Sequence, residues 1–471
     1  MTYRLSTFTR DASRWLIAAF ALLPLFATPA LAEDDPIAAV IKGTPLRAIG
    51  PTARGGRIAH VAVHPEDRST WYIAVGSGGV WKTTNAGITF TPIFDDQGSY
   101  SIGTVTIDPH NPERVWVGTG ENVSGRHVGW GDGIYLSEDG GKTWANMGLE
   151  DSQHISRIIV HPEEPNTVLV AAEGPLWSAG GDRGVYMTTD GGDNWERVLE
   201  VDNATGATDV LFHPTNPAIV YAATYERRRT PWSFLAGAYG SGIYKSTDGG
   251  RNWREVTNGL PSAKDTVSIG KIGLAVTPAA PDRVYATIEA SDGEQGFYAS
   301  TDRGESWTKQ NDYISGGTGP HYYQEIVASP TNPERVYQMD VFLHRTNDGG
   351  ENFAVVGDGL QSHSDNHALW IDPDDDKHLI VGTDAGLYES FDMGETWRFF
   401  ANLPISQFYK VAASNHEPFY DVLAGAQDLG TLQGPSRTTM TEGVLNQDWH
   451  VPLGADGYGV AFDPFDEDLL Y

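Results

Sequence analysis

Short runs of alternating apolar and polar residues recur along the chain, and they recur in a fixed order. IAHVAVHP, GTVTIDP, SRIIVHP, TDVLFHP, IGLAVTP, QEIVASP and ALWIDP each close on His, Asp, Thr or Ser followed by proline. A second apolar run follows a few residues later, as in STWYIAVG, ERVWVGTG, NTVLVAAE and AIVYAATY. A third run, such as GVWKT, GIYLS, GVYMT or GIYKS, leads into a glycine-containing turn signal, and a fourth follows it. Period-two patterning bounded by Pro and Gly predicts strands. Four such strands in succession predict a four-stranded antiparallel unit, repeated.

The turn signal itself is a repeat. S/T-x-D-x-G-x-(T/S/N)-(W/F) occurs as SEDGGKTW, TTDGGDNW, STDGGRNW, STDRGESW, TNDGGENF and SFDMGETW, with a weaker first copy, TTNAGITF, that has Asn85 in the aspartate place. The positions from Asn85 through Asp139, Asp190, Asp248, Asp302, Asp348 and Asp392 are spaced 54, 51, 58, 54, 46 and 44 residues apart. Strand-rich units at that period predict a β-propeller, an all-β fold of four-stranded antiparallel blades. Seven clear blades are expected, then an eighth from FYKVAASNHEP and a truncated ninth from GYGVAFDPFDEDLLY. The motif aspartates suit a structural role, because an Asx carboxylate accepts backbone N–H groups within its own turn. Trp144, Trp195, Trp253, Trp307 and Trp397 are expected to plug the space between blades. A calcium loop is a weaker reading still, because the D-x-[DN]-x-[DN]-G spacing and its terminal Glu are absent.

Composition narrows the function. Sixty-two acidic residues against 32 basic give a net charge of −30 over 471 residues, which argues against nucleic acid as a partner. Cysteine is absent, so disulfides, thiolate metal sites and cysteine nucleophiles are excluded. Arg4, Arg10 and Arg14 precede an apolar run, Trp15 to Ala27, and Ala30-Leu31-Ala32 offers the small residues of a cleavage site. That run is too short to span a bilayer. Residues 1–32 are therefore read as a secretory signal, 33–44 as a linker, 45–402 as seven blades and 403–471 as further, truncated blades. The product is expected to be exported, periplasmic or extracellular, with no membrane span after cleavage.

Candidate chemistry follows from blade position. Glu121, Glu173, Glu226, Glu289, Asp340, Asp384 and Asp428 lie 12, 11, 12, 11, 10, 11 and 10 residues after their landmark prolines. Blade 1 alone has Gly76 at that place. On a propeller these carboxylates ring one rim of the channel. For any single member, capping a turn or pairing an arginine is the commoner role, but seven together predict a negatively charged funnel. Loops at the same rim carry Arg126, His127 and Trp130 in blade 2, and Arg227 to Arg229 with Trp232 in blade 4. Aromatics beside charges suit sugar stacking or peptide capture, while the arginines could equally neutralise the acidic rim. From these loops Arg126, His127, Trp130, Arg228 and Trp232 are taken as ligand-binding candidates.

His321, Tyr322, Tyr323, His363, Asp365 and His367 are expected to form one patch facing Asp340 and Asp384. There the histidine pKa values should be raised by the carboxylates. His363, Asp365 and His367 would share one face of a strand, which makes them weak metal candidates. No metal or cofactor is expected. No G-x-S-x-G elbow is present for serine catalysis.

GGRIAHVAVHP, SGGVWKTTNAG, GTGENVSGRHVGWGDG, GGTGPHYYQE, DNHALWIDP and GLYESFDMGETWRFFANLP carry a family resemblance. The sequence resembles the Asp-box (BNR-like) superfamily, in particular sortilin N-terminal-domain-like exported bacterial proteins. It is more distantly similar to xyloglucanase-type glycoside hydrolases. The likeness spans residues 45–471 and implies the propeller fold. It also implies two catalytic aspartates, one from each of two propellers facing a cleft. The first would follow the second strand of blade 1, where this chain has Gly76-Ser77. The second would lie in a propeller beyond this segment. The sequence reading is an exported binding protein that presents a carboxylate- and aromatic-rich rim to a glycan, peptide or protein. The alternative is a glycoside hydrolase acting on a β-glucan such as xyloglucan through two rim carboxylates.

Overall fold

Eight antiparallel sheets follow one another along the chain in the computed structural model, each built from consecutive strands. The structure describes Gly43 and residues 47–471, except 53–54, 127, 263–266, 317–318, 324 and 467–468. The expected signal and nearly all of the expected linker lie outside the described residues. No described helix is long and apolar enough to cross a membrane.

Each sheet starts at the channel and works outwards. The first strands are Ile58–Val63, Ile102–Ile107, Ile155–Val160, Thr205–Phe212, Ile269–Val276, Ile326–Ala328 and Asn366–Ile371, with Phe408–Ala413 beginning the eighth sheet. Second strands such as Trp71–Val75, Val168–Ala172 and Leu379–Thr383 are buried along their whole length. Both of their faces meet neighbouring sheets, which is why WYIAV, VLVAA and LIVGT lack alternation. Fourth strands such as Thr91–Pro92 and Ala145–Asn146 are two residues long and exposed, a size that limits edge pairing. The fourth sheet adds Phe234–Ala236 beside its long second strand, Val220–Arg229.

The repeated turn holds each blade's third strand to its fourth. Asp139 Oδ1 accepts the Ser137 hydroxyl (2.8 Å) and the N–H groups of Lys142 (3.0 Å) and Thr143 (2.9 Å). Its Oδ2 accepts the Thr143 hydroxyl at 2.7 Å, and Gly141 N–H donates back to Ser137 Oγ at 2.8 Å. The same arrangement centres on Asp190, Asp248, Asp302, Asp348 and Asp392. These donors, first among them the Thr143 N–H, lower the Asp139 pKa to about 2. Gly140 and Gly141, at φ 71° and 90°, supply the left-handed backbone that the turn needs. Asn85 makes equivalent bonds to Thr83 and Thr89 in the first copy.

The motif tryptophans tie blade to blade. Trp144 Nε1 donates to Ile93 O (2.7 Å) and Trp195 Nε1 to Met147 O (2.8 Å), each in the preceding blade. Trp307 is buried as expected, whereas Trp144, Trp195, Trp253 and Trp397 are half-buried against their clusters. They sit where the short outer strand begins, so one ring edge stays at the surface.

The seventh sheet returns to the first. Ile58, Val61, Trp71 and Ile73 pack with Ala368, Ile380 and Leu387 in one apolar cluster, capped by Phe400, Leu403 and Ile405. Strand Ile58–Val63 also packs beside Ile102–Ile107 of the second sheet, so seven sheets close a ring. The eighth sheet lies outside that ring and meets it through Ala385, Ala426, Leu429 and Leu432, with Trp449 donating to Ile49 O at 2.9 Å. Of the expected ninth unit, the described residues hold one bridge, Phe462–Leu470.

Candidate functional site

One irregularity repeats where the first strands begin. The pairing of first and second strands slips by an extra residue at Ala59, Gly103, Ser156, Thr208, His367 and Tyr409, and again by one across Gly270-Lys271. A bulge re-aims the side chains beside it. Residues at or next to these bulges line a narrow central channel: His60, Arg157, Asp209, Lys271 and His367.

The seven carboxylates do end the second strands, but positive charge is interleaved among them. Arg57 stands at the centre of one group. Its Nε lies 2.5 Å from Asp384 Oδ1, its Nη2 3.0 Å from Asp384 Oδ2, and its Nη1 3.3 Å from Glu121 Oε1. Arg57 also bonds the Tyr322 hydroxyl, and its guanidinium lies 4.7 Å from that ring's centre. Glu173 pairs with Arg227 Nη1 at 2.8 Å. Glu226 accepts Gly240 N–H and Glu289 accepts Lys271 N–H, each at 3.1 Å. Asp340 accepts the Tyr313 hydroxyl (2.7 Å) and the N–H groups of Gly316 (2.8 Å) and Val341 (2.7 Å). In place of the uniformly negative funnel expected from the sequence, Glu121, Asp384 and Glu173 pair with arginines, and Glu226, Glu289 and Asp340 accept hydrogen bonds. Seven bare carboxylates in so narrow a channel would repel one another where water screens them least.

Two of the seven line one cavity. Asp384 and Asp428 line a cavity of about 410 Å³ with Asp365, Arg126, Arg229, Phe234, His321 and Tyr322. Asp384 comes from the seventh blade and Asp428 from the eighth sheet, so the two sheets contribute to one cavity. The Asp384 and Asp428 carboxyl groups are in hydrogen-bonding contact. Arg57 and His367, whose Nε2 is 2.8 Å from Asp384 Oδ1, hold the Asp384 carboxylate far below the usual range despite burial. Burial, followed by the charges of Asp384, Asp365 and Asp456, pushes Asp428 up to about 7. One member of the pair stays ionised while the other keeps its proton towards neutrality, which leaves Asp428 able to act as an acid. Asp365 and Asp428 both have left-handed backbones, at φ 65° and 57°, and such strain concentrates at functional sites.

The expected patch is partly assembled. Tyr323 is fully buried, its hydroxyl bonds Asp365 Oδ1, and its ring stacks on His367 at 5.5 Å. Ser364 Oγ donates to Asp365 Oδ2 at 2.5 Å. The strand begins only at Asn366, so His363, Asp365 and His367 do not share a strand face. His363 Nδ1 faces Ser364 O at 3.0 Å. Among the described residues no three His, Asp or Glu side chains gather as a metal-holding group. The expectation of raised histidine pKa values reverses at His321: burial, then Arg229, lower it to about 4.

Other candidates lie apart. Trp130 belongs to a neighbouring cavity of about 600 Å³ that shares Arg126 and is walled by Tyr100 and Trp177. Trp232 is 85% exposed and lines neither cavity. His127 lies outside the described residues. Because the second strand of the fourth sheet continues to Arg229, alternation turns Arg227 and Arg229 inwards and Arg228 out to solvent. Arg229 was thus missed and Arg228 chosen. Arg57 lies within GGRIAHVAVHP, but its carboxylate partners Glu121 and Asp384 are distant in sequence, so its role was not legible there.

Comparison with known proteins agrees with the fold. The family model described as "Sortilin, neurotensin receptor 3" matches residues 132–264. The oligoxyloglucan-reducing end-specific xyloglucanase of Emericella nidulans is 22% identical over 73% of this chain and 45% of its own length. A xyloglucanase of Hypocrea jecorina is 23% identical over 80% of this chain and 45% of its own. The chain thus spans under half the length of these curated relatives. Among solved structures, a family 74 xyloglucanase from Xanthomonas campestris superposes with a TM-score of 0.58 at 16% identity, covering 82% of this chain and 59% of that one. These likenesses support a sortilin- and BNR-like propeller superfamily with a distant relation to xyloglucanases.

Proposed function

We propose that the chain is an O-glycosyl hydrolase that cleaves a β-linked polysaccharide of the xyloglucan type in the cavity between the seventh blade and the eighth sheet. The observation that carries this reading is Asp428, a carboxyl group with its pKa near 7 that opens onto that cavity. The distant xyloglucanase likeness supports the same chemistry. Asp428 donates its proton to the leaving glycosidic oxygen as the sugar C1–O bond breaks. Asp384 is a positioning residue. Arg57 and His367 hold it ionised, and its charge keeps the proton on Asp428. Asp365, the remaining carboxylate in the cavity wall, serves as the base that takes a proton from the attacking water. Export from the cell remains part of the proposal, as does the division into a propeller over 45–402 and further blades over 403–471.

A second reading, glycan binding without cleavage, is favoured by Gly76. A Cβ there would lie 1.9 Å from Glu121 Oε1, so the blade 1 position has no room for an acid. Reducing-sugar release from xyloglucan, measured beside calorimetric binding of its oligosaccharides, separates the two. Cleavage lost in Asp428→Asn supports hydrolysis, while binding with no release by the unaltered chain leaves the second reading.

A further inference from the structure

The cavity that Asp428 lines also carries two arginines, Arg126 and Arg229, in a protein whose net charge is −30. Arg126 is exposed there and, among the described residues, makes no ion pair. Arg229 is 9% exposed, donates Nε–H to Ser124 O at 2.6 Å, and stacks 4.3 Å from the centre of the Phe234 ring. It too lacks a carboxylate partner among the described residues, whereas Arg227, two positions earlier, has Glu173. The two guanidiniums repel each other. Burial and then Arg126 lower the Arg229 pKa, and Arg229 and Arg126 both contribute to lowering that of His321. In a chain with more than 60 acidic side chains, two cations beside a cavity that make no ion pair among the described residues mark a place for a ligand's negative charge.

Resting on the glycosidase reading, we infer that the substrate is an acidic glycan, with a uronate carboxylate held by Arg126 and Arg229 while the bond to be cleaved lies against Asp428. A planar, singly charged carboxylate matches the guanidinium fork and forms charge-assisted hydrogen bonds with it. A sulfate or phosphate ester suits the cavity less well. Its greater charge or bulk would sit across from Asp384, Asp365 and Asp428, three carboxyl groups in the same wall system. Phe234, held under Arg229, gives the sugar ring an apolar surface beside the carboxylate. Neutral xyloglucan would use the Asp428 side of the cavity and leave the arginines unengaged.

The test uses a β-linked xylo-oligosaccharide bearing one glucuronate branch, and the same oligosaccharide with its carboxyl group reduced to the alcohol. Calorimetry on the whole chain should show the uronate binding at least about tenfold more tightly, as one charge-assisted contact provides. Arg126→Gln alters an exposed side chain, so folding is preserved. It should erase most of that preference, read as the ratio of the two affinities measured on the same variant. Arg229→Lys keeps the charge but loses the fork, and should weaken uronate binding more than binding of the reduced sugar. Equal affinity for the two sugars, or a preference that survives Arg126→Gln, overturns the inference. A uronate preference without cleavage of either sugar upholds acidic-glycan recognition and rejects the hydrolase reading. Asp428-dependent cleavage of both sugars at equal efficiency does the reverse.

Discussion

Gly76 and Glu121 occupy one volume: a Cβ on Gly76 would lie 1.9 Å from Glu121 Oε1 and 2.8 Å from its Cδ. Glu121 is buried and faces Arg57, so it has no room to retreat without leaving its ion pair. Gly76→Ala should therefore destabilise the fold by about 1–3 kcal/mol, the usual cost of overpacking. Combining it with Glu121→Ala should recover part of the loss, because the two changes are in contact and not additive. Urea denaturation of the three variants measures this. Full additivity would show that the shared volume is unimportant.

Arg57 joins blade 1 to blade 7 through Asp384 and to blade 2 through Glu121. Arg57→Met leaves two buried carboxylates without their cation and should cost about 3–5 kcal/mol. The Asp384 pKa is depressed in the folded state, so its contribution is present above the unfolded carboxylate pKa of about 4 and is lost as pH falls below it. Thermal melts of the parent chain should therefore lose stability on acidification below about pH 4, and those of Arg57→Met should lose less.

His321 has a lowered pKa, about 4 against an ordinary 6.5, owing to burial and then Arg229. Between those values the unfolded chain binds the extra proton. The contribution of His321 is thus complete above about pH 6.5 and is lost as pH falls towards 4. In His321→Gln this part of the pH–stability curve should flatten. Proton NMR of the His321 ring should show no titration near 6.5, and a midpoint there would contradict the assigned surroundings.

The repeat architecture was legible because turn chemistry and landmark prolines are local, and each blade restates them. Seven second-strand carboxylates were legible for the same reason. Their partners were not, because Arg57 and Asp384 are 327 residues apart and meet only when the seventh sheet closes on the first. His363, Asp365 and His367 were read as an alternating trio. The left-handed backbone at Asp365 and the bulge at His367 break that alternation, and neither has a fixed sequence signal. Arg228 was chosen over Arg229 for want of one fact, that its strand runs on to residue 229.

Asp428 is the test of the whole account. Its pKa is raised to about 7 by burial and by Asp384, Asp365 and Asp456, so the proton it donates is present below about pH 7 and absent above it. The decisive measurement is the pH dependence of kcat/KM for glycan cleavage by the parent chain and by Asp428→Asn. The parent rate should fall as pH rises through about 7. Asp428→Asn should lose about 10²–10⁴-fold of the rate, the usual contribution of a general acid, with no such fall remaining. Cleavage that survives in Asp428→Asn with an unchanged pH profile would contradict the assignment.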